Sequence, residues 1–427
     1  MAAPSPSAVP TPSAAGSGPV PGQTLNLLLA TLASTVGFWA WTMIGPLASR
    51  YSEDMSLGST QNAVLVAMPI LVGSIARVPV GVMTDRYGGR IMFAALLGVT
   101  APLVLVTGLV GMMDAYIPLL VVAFFLGIAG AVFAIGIPFV SAWYPPHRKG
   151  FATGIFGAGM VGTAISAFAT PQLAAGIGYL ATHILVAVVV AVVAVLCAVF
   201  LREAPSRAGI TPTPALPKLR RAFSQLVTWQ LCFLYGVVFG AFVAFSNYLP
   251  TYLGNIYDYA ATEAGWRTAG FAAAAVVARP VGGILADRIG PRTVTLTSFA
   301  GAAVLAVVVA LQPGQERVFG PVFLIMALFL GLGTGGVFAW VGRAADPRDV
   351  GTIGGIIAAA GGLGGYFPPL VMGATYNAEH NSYFVGLMLL AAFAVVALLL
   401  TFTVRNGGRV DERDAGQGPA TTARTST

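Results

Sequence analysis

The chain carries few charges and almost none of the side chains that perform covalent chemistry. Only 9% of its 427 residues are charged against 57% hydrophobic, with two cysteines and three histidines. A soluble domain carries roughly 25% charged residues, so this composition excludes a water-covered surface of that size. Cys197 and Cys232 lie singly in apolar stretches, which favours small buried side chains over a disulfide or a metal site. We therefore expect an integral membrane protein with no cofactor.

Apolar stretches long enough to cross a bilayer, about 20 residues each, occur twelve times. They lie near 25–48, 61–83, 91–112, 115–143, 149–171, 179–201, 227–254, 264–287, 292–311, 320–343, 350–374 and 383–404. All 15 carboxylates fall outside the cores of these stretches. The pattern predicts an all-α membrane protein with twelve transmembrane helices.

The stretches divide into six plus six. We expect bundles over 25–201 and 227–404, joined by a basic, proline-containing cytoplasmic linker at 202–226. Residues 1–24 are uncharged and lack the basic start of a signal peptide, which predicts a disordered cytoplasmic lead. The tail at 405–427 is expected to be cytoplasmic too. Because such a fold closes its core without a partner, we expect a monomer.

Basic residues indicate the orientation. Most of the 22 Lys and Arg residues lie in the loops and tail on one side, whereas the opposite loops hold only Arg50, Arg267 and Arg317. The positive-inside rule makes the rich side cytoplasmic, with both termini there, in the cytoplasmic membrane. The net charge of +7 is scattered over short loops, so nucleic-acid binding is not expected.

Two arginines interrupt apolar helices at equivalent places in the two halves. Arg77 precedes Asp85 by the same interval that separates Arg279 from Asp287. Eight residues of helix span about 12 Å, which puts both guanidiniums near the centre of the bilayer. Intramembrane charges of this kind usually face a substrate path, and a repeat-related pair indicates one anion site between two halves. The alternative is that each pairs with a backbone carbonyl at a helix break.

Aromatic residues and glycines accompany the arginines. Phe38, Phe133, Tyr235 and Phe239 are candidate walls of the site, and Tyr235 adds a hydroxyl donor. The fifth and eleventh stretches are dense in glycine. Close helix packing explains most such glycines. Some of them could instead let the backbone approach a small substrate or let closely packed helices slide.

A motif follows the second stretch and recurs more weakly after the eighth. Gly81-x-x-x-Asp85-Arg86-x-Gly88-Gly89-Arg90, with its copy from Gly283, resembles the loop-2/3 and loop-8/9 signature of the major facilitator superfamily. The resemblance implies the superfamily's fold of two pseudo-symmetric six-helix bundles. It also implies a cytoplasmic gate formed by Gly81, Asp85, Arg86, Arg90, Asp287 and Arg288.

The arginines and the glycine stretches together resemble the nitrate/nitrite porter family over roughly 25–404. The resemblance implies that Arg77 and Arg279 clamp a small inorganic anion, nitrate or nitrite, inside the aromatic walls. It further implies that glycines of both stretches approach the substrate, namely Gly154, Gly157, Gly159, Gly162, Gly361, Gly362 and Gly364. The chain departs from better-known members by lacking an Asn in the fifth stretch and by carrying Ala358–Ala360 where a hydroxyl residue is common.

We therefore predict a nitrate/nitrite transporter working by alternating access. Two fixed positive charges without an acid make an empty site costly to reorient, which favours nitrate/nitrite exchange over nitrate/proton symport. A carrier of another small anion, such as an organic phosphate, is disfavoured because no stretch contains a buried Lys. A sensor or an intramembrane enzyme is disfavoured because no nucleophile–base pair or histidine cluster falls in a stretch and no long soluble domain is present.

Overall fold

The computed structural model describes residues 21–145, 148–205, 215–312, 316–344 and 350–404. The expectations for residues 1–20 and for the tail at 405–427 lie outside these ranges. Within them the chain is helical. The α-helices are α1 Gln23–Trp41, α2 Ala48–Asp54, α3 Ser59–Tyr87, α4 Gly89–Gly111, α5 Tyr116–Leu126, α6 Val132–Ala142, α7 Lys149–Ala158, α8 Val161–Ile177, α9 Tyr179–Phe200, α10 Ala215–Phe223, α11 Leu226–Tyr257, α12 Ala261–Ile289, α13 Pro291–Ala310, α14 Glu316–Ala344, α15 Val350–Gly364, α16 Phe367–Ala374 and α17 Phe384–Thr401.

The described helices supply twelve segments long and apolar enough to cross a membrane, which confirms the predicted fold class. Four of these spans are broken. The first passes from α1 through a 3₁₀ turn at Gly45–Leu47 into α2, and the fourth joins α5 to α6 through a 3₁₀ turn at Gly127–Ala131. The fifth consists of α7 and α8, and the eleventh consists of α15 and α16. Each break falls at or beside a glycine, where the helix is least stable.

The two halves turn in the same way after their second spans. Gly88 and Gly290 have φ of 90° and 93°, in the left-handed region that glycine adopts without strain. Two residues later, Arg90 donates to Ala198 O at the end of α9, and Arg292 donates to Thr401 O and Phe402 O at the end of α17. A guanidinium at a helix C-terminus satisfies free carbonyls and complements the helix dipole. The two halves therefore share these helix-capping contacts as well as the repeated sequence motif.

The halves meet at one end of the molecule. Ser59 Oγ donates to Gly373 O at 3.0 Å, and Gln172 Nε2 donates to Thr262 O at 3.2 Å. Gly45 packs directly on the backbone of Asn247. All these contacts join the first half to the second at the end away from Asp85 and Asp287, which we call the outer end.

We call the opposite end the basic end. Among the glycines toward this end, six would have no neighbouring atom within 4 Å of an added methyl group and lie in spans that carry the site: Gly81, Gly154, Gly157, Gly283, Gly354 and Gly355. They belong to the second, fifth, eighth and eleventh spans. The structure is thus closed at the outer end, and these glycines are bordered by open space.

Candidate anion site

Arg77 lies in the middle of α3 and is only 4% exposed. Its Nη1 donates to Ala358 O at 2.5 Å, and its Nε donates to Gly130 O at 3.4 Å. The carbonyl pairing that the sequence left open as an alternative is therefore present. It is incomplete, because Nη2 is buried and has no hydrogen-bond partner. A guanidinium carries five donors, so one edge remains to be satisfied.

Arg279 lies in α12 and is half-buried. Its Nη2 donates to the Tyr235 hydroxyl at 3.1 Å, and its Nη1 lies 2.8 Å from Met160 Sδ. A thioether is a weak acceptor, so this edge of Arg279 is held loosely. Met160 belongs to the first half, just as Ala358 belongs to the second. Each arginine therefore reaches across to the glycine-rich span of the opposite half.

Two aromatic rings lie between the guanidiniums. The Phe133 ring centroid is 5.9 Å from Arg77 Cζ and 5.5 Å from Arg279 Cζ. The Phe239 ring lies 5.8 Å from both. Tyr235 stacks on Phe239 with centroids 5.0 Å apart and planes inclined by 8°. Both arginines, Phe133, Phe239 and Tyr235 thus lie close together.

Phe38 supports this site from behind. Its ring packs edge-on against Phe133 at 6.3 Å and against Trp41 at 5.6 Å. The Trp41 ring lies 5.8 Å from Arg77 Cζ, and its Nε1 donates to Pro69 O. Trp41 is therefore the first-span aromatic that contacts the arginine, and Phe38 positions the wall.

Phe338 and Met160 were not identified from the sequence. Phe338 in α14 lies 5.6 Å from Arg279 Cζ and 5.3 Å from the Tyr235 ring. Neither residue belongs to a repeated motif, and each is one of many apolar residues in its span. Only the packing of α8 and α14 around α12 brings them to Arg279.

Neither site arginine is neutralised by a carboxylate in the described part of the chain. The ion pairs recorded there are Arg50–Asp54 at 3.2 Å and Arg343–Asp287 at 3.3 Å, both at helix ends. Two neighbouring cations among aromatic rings are unfavourable unless an anion joins them. A small cavity of about 10 Å³ adjoins Arg279, lined by Met160, Phe239, Phe242, Ala275, Val276, Gly331 and Thr334.

Two of the predicted glycines, Gly361 and Gly362, lie in close contact with site residues. A methyl group at Gly362 would lie 3.1 Å from Arg77 Nη1 and against Ser74 Oγ. A methyl group at Gly361 would overlap the Tyr235 ring and lie 3.0 Å from the Phe239 ring. These positions admit no side chain without moving the arginine or the aromatic wall.

The other predicted glycines lie elsewhere. Gly159 and Gly162 pack on α1 at Ser34 and Thr35, and Gly364 packs on α11 at Gly236. Such backbone approach is the usual role of small residues between membrane helices. A methyl group at Gly154 or Gly157 would meet no atom within 4 Å.

The six predicted gate residues all lie at the basic end. Asp85, Arg86, Asp287 and Arg288 are exposed near the ends of α3 and α12, and Gly81 has open space beside it. Asp287 Oδ1 accepts from Arg343 Nη2 within the second half, and Arg90 caps α9 within the first. These side-chain bonds of Asp287 and Arg90 therefore stay inside one half.

A helical membrane protein with twelve spans, two repeat-related halves and a charged site between them is a carrier. The profile of the Major Facilitator Superfamily matches residues 30–262 and 231–426. The chain belongs to this superfamily and, within it, to the family of nitrate/nitrite transporters. The resemblance seen in the sequence is thereby confirmed.

The relatives are similar over nearly their whole length. The chain is 54% identical to the Mycobacterium tuberculosis protein named "Probable nitrate/nitrite transporter NarK2", covering 89% of this chain and 96% of that one. It is 35% identical to the Thermus thermophilus "Probable nitrate/nitrite antiporter NarK1", covering 88% and 90%. A crystal structure of a bacterial homolog to the human lysosomal transporter Spinster, inward-facing and occupied, superposes with a TM-score of 0.69 at 18% identity. It covers 91% of this chain and 97% of that chain, and shows the fold alone.

Proposed function

We propose that the chain exchanges nitrate and nitrite across the cytoplasmic membrane by alternating access. The observation that carries this proposal is the buried, unpartnered Nη2 of Arg77. A second guanidinium, that of Arg279, lies against the same two rings, and in the described ranges no carboxylate pairs with either arginine. The names of the relatives support nitrate and nitrite as the anions. No chemical step is proposed; the residues bind and release their substrate.

The anion is proposed to bridge the two arginines. Its oxygens accept from Arg77 Nη2 and from Arg279 Nη1, displacing the weak Met160 contact. The Tyr235 hydroxyl accepts from Arg279 Nη2, so its own hydrogen is available to a third oxygen. A planar guanidinium matches a trigonal oxyanion, and the surrounding rings keep out water.

We propose that the basic end faces the cytoplasm, with both termini there, so that the structure is inward-open. The halves 25–201 and 227–404 are proposed to rock about the site as one monomeric carrier, joined by 202–226. On closure, Gly154 and Gly157 would approach Gly283, and the residues around Gly81 would approach Gly354 and Gly355. Glycine permits this approach because it adds no side chain between the helices.

Exchange is proposed because the site holds positive charge that only a bound anion offsets. We expect labelled nitrate to enter proteoliposomes preloaded with nitrite much faster than empty ones, since the loaded carrier reorients in both directions. Counterflow of the labelled anion measures this. Uptake into empty vesicles driven by an inward proton gradient, and abolished by a protonophore, would contradict exchange and support nitrate/proton symport.

Variants of Asp85 and Asp287 test the predicted gate at the basic end separately from the anion site. We expect Asp85→Asn and Asp287→Asn to bind nitrate with nearly unchanged affinity but to exchange it at an altered rate, because Asp85 lies about 12 Å of helix from Arg77. Equilibrium binding by calorimetry and exchange in vesicles separate the two effects. A large loss of affinity in a folded Asp85 variant would place this carboxylate in the binding site instead.

A further inference from the structure

Met160 lies in the break of the fifth span, between the end of α7 and the start of α8. The break packs on α1 on both sides of this residue. A methyl group at Gly159 would meet Ser34, and one at Gly162 would meet Thr35 O. The backbone around Met160 is therefore fixed against α1, while its side chain reaches α12 of the opposite half.

The Met160 side chain occupies a donor of the second site arginine. It is 2% exposed, and its Sδ lies 2.8 Å from Arg279 Nη1. A thioether is a weak acceptor, so this contact partly satisfies a charged donor that would otherwise be unpaired.

The equivalent arginine of the first half is held differently. Arg77 Nη1 donates to a backbone carbonyl, Ala358 O. A backbone carbonyl is part of its helix and cannot turn aside, whereas a methionine side chain has three rotatable bonds. Of these two contacts between the halves, the one at Arg279 is thus the one that a side-chain rotation can release.

We propose that Met160 is a placeholder ligand of Arg279. Its thioether accepts from Nη1 while the site is empty and rotates away when an anion oxygen takes this donor. This role rests on the proposed function, which puts the anion between the two arginines. Because the thioether is an acceptor, the empty carrier does not hold a bare charged N–H, and because it is a weak one, the anion displaces it at little cost. Met160 thus sets the anion affinity as a positioning residue.

A packing role for Met160 leads to a different expectation. Methionine commonly fills gaps between helices, and leucine of similar volume would then leave the affinity for the anion unchanged or lower it. A placeholder predicts a gain in affinity. Leucine offers no acceptor, so Arg279 Nη1 is unpaired in the empty site and the anion has no ligand to displace. The sign of the change in affinity therefore separates the two roles.

The test measures nitrate binding to the purified full-length protein by isothermal titration calorimetry. We expect Met160→Leu to bind nitrate about fivefold more tightly than the wild type, as the loss of one ordinary hydrogen bond from the empty site would produce. The matched control is Met326→Leu in α14, since Met326 is also 2% exposed and belongs to the hydrophobic core. It should bind like the wild type. Unchanged or weaker binding in Met160→Leu would overturn the placeholder role, whereas a wild-type protein that binds no nitrate would refute the proposed function.

The contact in the empty site can also be observed without transport. With ¹³C-labelled methionine methyl groups, the NMR signal of Met160 is the one that disappears in Met160→Leu. We expect nitrate to shift this signal, and Arg279→Gln to shift it without nitrate, because each removes the guanidinium from the sulfur. The Met326 signal should stay in place in both cases. A Met160 signal that does not respond to Arg279→Gln would show that the thioether does not hold the guanidinium, and the placeholder role would fail.

Discussion

Lysine at position 77 or 279 is expected to lower nitrate/nitrite exchange by about a hundredfold or more, with normal amounts of protein in the membrane. Each variant keeps its charge and loses the planar fork. A hydrogen bond to a charged group contributes about 1.5–3 kcal/mol, so the loss of one or two such bonds accounts for this effect. Exchange in proteoliposomes, normalised to the reconstituted protein, measures it.

The two variants are expected to differ in detail. Arg77 also anchors Ala358 O and Gly130 O, and a lysine ammonium cannot reach both and the anion. Arg279 hydrogen-bonds to the side chains of Tyr235 and Met160 and to no backbone carbonyl in the described ranges, so its lysine variant should lose affinity for the anion with less disturbance of the surrounding helices. Arg202→Lys, exposed at the basic end, is the control and should transport normally. Near wild-type exchange in either site variant would refute bidentate binding.

Alanine at Gly362 is expected to reduce exchange by about tenfold or more, and alanine at Gly361 by a similar factor. The added methyl group at position 362 meets Arg77 Nη1 and Ser74, and the one at position 361 meets the Tyr235 and Phe239 rings. Because overpacking a site shifts side chains at a cost of about 1–3 kcal/mol, we expect a raised half-saturation concentration for nitrate.

Helix stability cannot explain such a loss, because alanine favours a helix over glycine by about 1 kcal/mol. Gly98→Ala in α4 is the matched control, since its methyl group meets no atom within 4 Å, and it should transport normally. Wild-type half-saturation in the Gly362→Ala variant would show that α15 does not contact the substrate.

The sequence alone showed the repeat between the two halves and the two charged residues inside apolar stretches. An arginine in an apolar stretch is conspicuous because its burial costs free energy wherever the chain folds, so the sequence alone singled out Arg77 and Arg279 as candidates. Span number followed from length and hydropathy in the same way. Each of these properties belongs to a residue or a short segment and needs no knowledge of its neighbours.

The partners of those arginines required the tertiary structure. Met160, Phe338 and Ala358 look like ordinary membrane residues, and only the crossing of distant spans brings them to a guanidinium. The contacts of individual glycines could not be predicted from the sequence either. In the same stretch, Gly362 packs against Arg77 and Gly364 packs against Gly236. The high glycine content indicated that these helices pack closely. Which glycine contacts which surface depends on the rotation of each helix about its axis and on the breaks within it. Helix rotation and the positions of the breaks depend on packing against the other half. They therefore depend on all the helices together.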